Sequence, residues 1–137
     1  MKKRNKIHAS TATLLVLIIL NVAKAGDVEI LAADFKRSNN KQWSVNVTLA
    51  HADSGWGHYA DDWWVVDADG NILGDRVLLH PHENEHPFTR SLSGVKIPEG
   101  TTIVYIEAHD IVHGCSPNRL TIDLGKASNG RLRVRAE

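Results

Sequence analysis

The chain has 137 residues, with 16 Lys and Arg against 16 Asp and Glu, and a single cysteine. Lys2, Lys3, Arg4, Lys6 and Lys24 lie in the first 25 residues with no acid, which leaves eleven basic against sixteen acidic side chains from Gly26 onward, a net charge of −5. That length suits one domain with one core, that charge disfavours nucleic acid as a partner, and one thiol cannot close an internal disulfide.

The first element is a leader. "MKKRNKIH" is a basic n-region, "ASTATLLVLIILNV" is an apolar core, and "AKA" before Gly26 has the small-x-small form of a signal-peptidase site. The apolar run is short for a membrane span. No Arg-Arg pair accompanies it, and no cysteine at the cut marks a lipid anchor. The expectation is a signal peptide over 1–25 and a periplasmic or secreted product without a membrane span once the leader is removed.

From there the chain reads as short alternating runs parted by turn residues, the pattern of antiparallel strands. Asp27–Phe35 is the first, followed by the polar loop "KRSNNK". In "QWSVNVTLAH", Trp43, Val45, Val47 and Leu49 share one face, and His51 continues that face. "DWWVVDA" and "ILGDRVLLH" flank the turn "DADGN", with Trp63 and Trp64 on opposite faces. "PFTRSLSGVKI", "TIVYIEAHD" and "RLTIDL" follow. About seven strands in this length predict an all-β, antiparallel immunoglobulin-like β-sandwich over 26–125. Residues 126–137 form a polar, basic tail or an edge strand.

Seven histidines follow the leader, and most fall in three loops. His80 and His82 form an HxH pair held extended by Pro81, so both imidazoles face one side, a spacing that suits zinc or copper. Glu83, Glu85 and His86 are close enough in sequence to complete a shell. "HADSGWGHYADDWW" carries His51 and His58 around a tight glycine loop, and "EAHDIVHGCS" carries His113 and Cys115. His109 has the opposite parity from Val104, Ile106 and Ala108 and is expected to face outward. Counting hairpin steps places all three loops at one rim of the sandwich. The expected metal ligands are therefore His51, His58, His80, His82 and His113, with His86 and Cys115 as outer additions. No GxSxG, phosphate loop or HExxH is present, and "DADGN" lacks the spaced ligands of a calcium loop.

The motifs "GWGHYADDW", "DGNILGDRVLLHPH" and "PFTRSL" resemble those of a family of small exported bacterial proteins known only as uncharacterised. The resemblance covers about half of the chain after the leader. It aligns His58, His80, His82 and His113 with the family's histidines, and departs at His86 and Cys115. It implies export and no particular activity.

Three functions compete. The first is an exported metal-binding domain whose histidine rim takes a copper or zinc ion for sequestration or delivery. The second is a non-catalytic cell-envelope binding or scaffold module that meets another envelope protein through Trp56, Tyr59 and Trp64. The third is an iron-dependent redox enzyme, loosely similar to the four-histidine, one-cysteine centre of superoxide reductases. Its motifs do not match, and no nucleophile–base pair supports other catalysis.

Overall fold

Alternation of apolar and polar side chains governs nearly every element of the structure, a computed structural model that describes residues 26–137. The leader expected over 1–25 lies outside the described residues. Among the described residues are nine strands: β1 (Glu29–Arg37), β2 (Trp43–Ala50), β3 (Ala60–Val66), β4 (Ile72–Val77), β5 (Phe88–Val95), β6 (Ile103–Asp110), β7 (Gly114–Cys115), β8 (Leu120–Asp123) and β9 (Arg131–Arg135). One sheet has the order β5-β2-β1-β9. The other runs β4-β3-β6-β7, with β8 also pairing β6. Every pairing is antiparallel.

The two sheets pack as a sandwich because each presents one apolar face. Trp43, Val45, Val47 and Leu49 of β2 are buried, as their period of two requires. Val104, Ile106 and Ala108 of β6 meet them from the opposite sheet with Trp63 and Val65 of β3, in one continuous core. Trp63 is fully buried, whereas Trp64 points to the outer face and packs edge-on against His109. Where β4 passes β5, Gly74 leaves the room: a Cβ there would stand 2.9 Å from Leu92 Cδ2 and 3.2 Å from Val95 Cγ2. Without a side chain at that point the two sheets close tightly at their corner.

Of the two expectations for the tail, the edge strand is realised. β9 pairs with β1 from Ala32↔Arg135 to Lys36↔Arg131, so the sheet continues past residue 125 to Arg135. Leu132 and Val134 point to the core while Arg131, Arg133 and Arg135 alternate outward, and Arg133 pairs with Asp34. Charge along an exposed edge discourages further strand pairing.

β2, β4 and β6 all leave the sheets at one end. The Leu78 amide donates to Asp61 O at 2.8 Å and the Ile111 amide to Tyr59 O at 3.2 Å, which ties the connecting segments to one another. This end holds most of the histidines.

The outer face of β3 and β4 carries an acidic pair. Asp62 Oδ1 is buried without a hydrogen-bond partner among the described residues, and burial first, then the neighbouring Asp75 carboxylate, pushes the Asp62 carboxyl up to about 7. Two carboxylates have no donor between them, and a proton on Asp62 supplies one. Because the folded state holds that proton more tightly than the unfolded chain, its stabilisation is complete below about pH 3.8 and is lost as pH rises through about 7. Asp62→Asn keeps the donor at every pH. Thermal unfolding should show a gain from Asp62→Asn that is larger at pH 8 than at pH 5. An equal gain at both would mean that the pair is not titrating.

Candidate metal centre

The segment between β2 and β3 is shaped by Asp53. Its buried Oδ1 accepts from His51 Nδ1 at 2.5 Å and from the Ala60 amide at 3.0 Å. Its Oδ2 accepts from the His82 amide at 2.6 Å. One carboxylate thus fastens the end of β2, the start of β3 and the segment after β4. Burial works against its charge, but the His82 and Ala60 amides and His51 outweigh burial and hold the carboxyl below its ordinary range. Between these anchors Gly55, at φ +126°, turns the chain so that the Ser54 amide donates to His58 O and the His58 amide to Gly55 O, and Trp56 projects into solvent, 68 % exposed.

A second buried carboxylate, Asp110, ends β6. Its Oδ1 accepts the amides of Val112 at 2.9 Å and His113 at 2.7 Å, a side-chain turn that brings the chain round to Gly114 and β7. Those amides hold its carboxyl low against burial, and His113 and His51 add to the effect. Among the described residues its Oδ2 has no hydrogen-bond partner, although the residue is only 1 % exposed.

Three imidazoles converge on Asp110. His51 Nε2 lies 4.0 Å from Oδ2, His58 Nε2 lies 3.5 Å from Oδ1, and His113 Nδ1 lies 3.1 Å from Oδ1. The rings follow one another, His51 to His58 and His58 to His113, each with centroids 4.9 Å apart. His58 Nε2 is buried and has no hydrogen-bond partner among the described residues. One donor atom each from His51, His58 and Asp110 lie within 4.8 Å of one another, and Asp27, Asp110 and His113 form an overlapping group with the same property. Ligands around a cation at about 2.0–2.1 Å stand about 3–3.5 Å apart, so small adjustments suffice to close such a shell. The hydrogen bond from His51 Nδ1 to Asp53 leaves Nε2 as the atom that faces Asp110, the carboxylate–histidine arrangement that orients metal-binding imidazoles.

The five expected histidines therefore fall into two groups. His51, His58 and His113 surround Asp110. His80 and His82 lie together, with ring centroids 4.7 Å apart, on the other side of Asp53, where His82 Nδ1 is 3.7 Å from Asp53 Oδ2. His82 is not a rim residue: it is 4 % exposed and stacks on Phe88, with centroids 4.2 Å apart. Burial, then the charge of Arg90, pushes its imidazole below the ordinary histidine range. His80 is exposed, and its Nδ1 faces its neighbour's carbonyl, Pro81 O, at 3.0 Å. Both border an open recess that Trp56, Glu83 and Glu85 complete.

His86 stands exposed beside Phe88 and belongs to neither candidate metal group. Cys115 is exposed on β7, opposite His109 in the sheet register, and is neither buried nor gathered with the three histidines. His109 faces outward, as its parity predicts, with Nδ1 2.6 Å from Asp61 Oδ1. Sequence reasoning missed Asp53, Asp110 and Asp27. Asp110 was within reach, because it shares the parity of Val104, Ile106 and Ala108 and so ends the core face. Asp53 sits in a loop and offers no such signal.

Asp53→Ala removes the acceptor of two amides and an imidazole in a buried site. It should cost about 3–5 kcal/mol in chemical denaturation, the range for stranding the partners of a buried charge. A loss below about 1 kcal/mol would mean that water replaces the carboxylate. The lowered carboxyls of Asp53 and Asp110 favour the folded state above their ordinary value of 3.8, a contribution lost as pH falls through their still lower folded values.

No family model matches the chain, and no solved structure matches it. It is similar to a protein of Halomicrobium mukohataei described as "Putative lipoprotein", at 36 % identity over 97 residues, which are 71 % of this chain and 47 % of that protein. The chain thus spans about half the length of the curated relative it matches.

Proposed function

We propose that this end of the sandwich binds a copper or zinc ion in an exported cell-envelope protein that sequesters or delivers the metal. The observation that carries this reading is Asp110: a buried carboxylate whose Oδ2 has no hydrogen-bond partner among the described residues, facing His51 and His58 with His113 beside it. A buried carboxylate oxygen without a hydrogen bond is costly, and a cation among imidazoles satisfies it. Imidazole nitrogen with one carboxylate suits zinc and copper, and no thiolate joins either group. The scaffold fits an immunoglobulin-like sandwich, whose loops gather at the ends of its sheets. Export is supported by the leader motif and by the lipoprotein description of the relative. No helix among the described residues is long and apolar enough to cross a membrane. An iron redox centre has less support, since Cys115 belongs to neither candidate metal group among the described residues.

The second reading, a docking module for another envelope protein, is favoured by one observation. Trp56 and Leu79, 68 % and 74 % exposed, stand in the segments that carry the histidines, with Val112 also exposed. An apolar rim of that kind also suits a protein that hands over its metal to a partner.

Titration of the purified protein with copper(II) and zinc(II) separates these readings. His58→Ala/His113→Ala should lower affinity at least about tenfold, while Cys115→Ser and His109→Ala leave it unchanged. Acidification from about pH 7 to 5 should release the ion, because imidazole must be neutral to ligate. A loss confined to His80→Ala/His82→Ala would move the site to the outer recess. Absence of stoichiometric binding would leave the docking module.

A further inference from the structure

Gly26 is the residue that cleavage after Ala25 would place first in the mature chain, and it is seated inside the histidine cluster. His51 Nε2 lies 2.8 Å from its carbonyl oxygen. Its Cα lies against the ring of His113: a Cβ there would stand 2.6 Å from Cε1 and 3.1 Å from Nε2. With φ at +119°, the position suits glycine on conformational grounds as well. The next residue, Asp27, brings its carboxylate into the group formed with Asp110 and His113. Asp110 Oδ2 and His58 Nε2, both buried and without a hydrogen-bond partner among the described residues, belong to the same cluster.

The nitrogen of Gly26 is one bond, about 1.5 Å, from its Cα. It is joined to the carbonyl oxygen through two carbons, so a cation held by both closes a five-membered ring. While the nitrogen belongs to the Ala25–Gly26 peptide bond, its lone pair is delocalised and it is a poor ligand. Hydrolysis by a signal peptidase breaks that C–N bond. Water supplies the hydroxyl that completes the Ala25 carboxyl and the proton that completes the Gly26 amine. The product is an amine with a free lone pair once it is unprotonated.

We propose that export completes the metal site: the α-amine of Gly26, freed by cleavage after Ala25, ligates the ion beside His58, His113 and Asp110. This rests on the metal-binding reading above. It makes the uncleaved precursor the weaker binder, so that the site reaches full affinity only outside the cytoplasm.

The experiment keeps the natural leader. Wild type and a variant with Ser-Ser inserted after Ala25 are exported and purified, their first residues are identified by mass spectrometry, and both are titrated with copper(II). The insertion leaves "AKA" intact and moves the free amine two residues away from Gly26. Wild type should begin at Gly26 and bind copper(II) at least about tenfold more tightly than the inserted form, the scale on which metal sites respond to lost support. The copper(II) absorption band should also shift to longer wavelength in the inserted form, as expected when a nitrogen donor is lost. His58→Ala/His113→Ala should weaken binding in both backgrounds. A wild-type chain that starts elsewhere, equal affinities, or an insertion that lowers only the metal-free melting temperature overturns the proposal and leaves the histidine site standing. No copper(II) binding by either form overturns both.

Discussion

The structure at this end depends on one buried carboxylate. Asp53 accepts from His51, from the Ala60 amide and from the His82 amide, so a single side chain ties the end of β2 to the start of β3 and to the segment after β4, in the opposite sheet. Loops that must carry polar ligands cannot be fastened by apolar packing alone, because every buried polar group in them needs a partner. Asp53 provides that partner in the interior and keeps its charge while doing so. The same bond fixes which nitrogen of His51 faces Asp110. Fold and site geometry therefore share one atom.

Asp110 is the counterpart of Asp53 and differs from it in one respect. Both are buried and both accept backbone amides, but Asp53 uses its two oxygens fully whereas Asp110 uses one. A protein interior rarely leaves such an oxygen idle. Under the proposed metal-binding function, the difference separates a carboxylate that holds the scaffold from one that meets the ion. His82 extends the scaffold outward, stacked on Phe88 and poised beside Asp53, and leaves His80 to border the open recess beyond.

The sandwich was legible because its strands alternate cleanly. Trp43 to Leu49 and Val104 to Ala108 place themselves on the core face by parity alone, and the same rule turns His109 outward. The gathering of His51, His58 and His113 followed from strand direction. The site beyond that was less legible, for physical reasons. His82 reads as a rim residue by its HxH spacing, yet its burial arises from Phe88, whose approach depends on the conformation of an aperiodic loop. Asp53 gains its role from hydrogen bonds to residues up to 29 positions away, which no local pattern encodes. Cys115 lies on a two-residue strand whose pairing with His109 is set by the turn at Asp110.

The central claim is that the ion sits among His51, His58, His113 and Asp110, with Asp53 behind His51. A crystal structure of the copper(II)-loaded protein, with data collected at the copper absorption edge, tests it most directly. The anomalous peak is expected within about 2–2.2 Å of His58 Nε2 and a carboxylate oxygen of Asp110, distances usual for such ligands. A peak bound only between His80 and His82, or on Cys115, would contradict the claim and leave Asp110 without a role in metal binding.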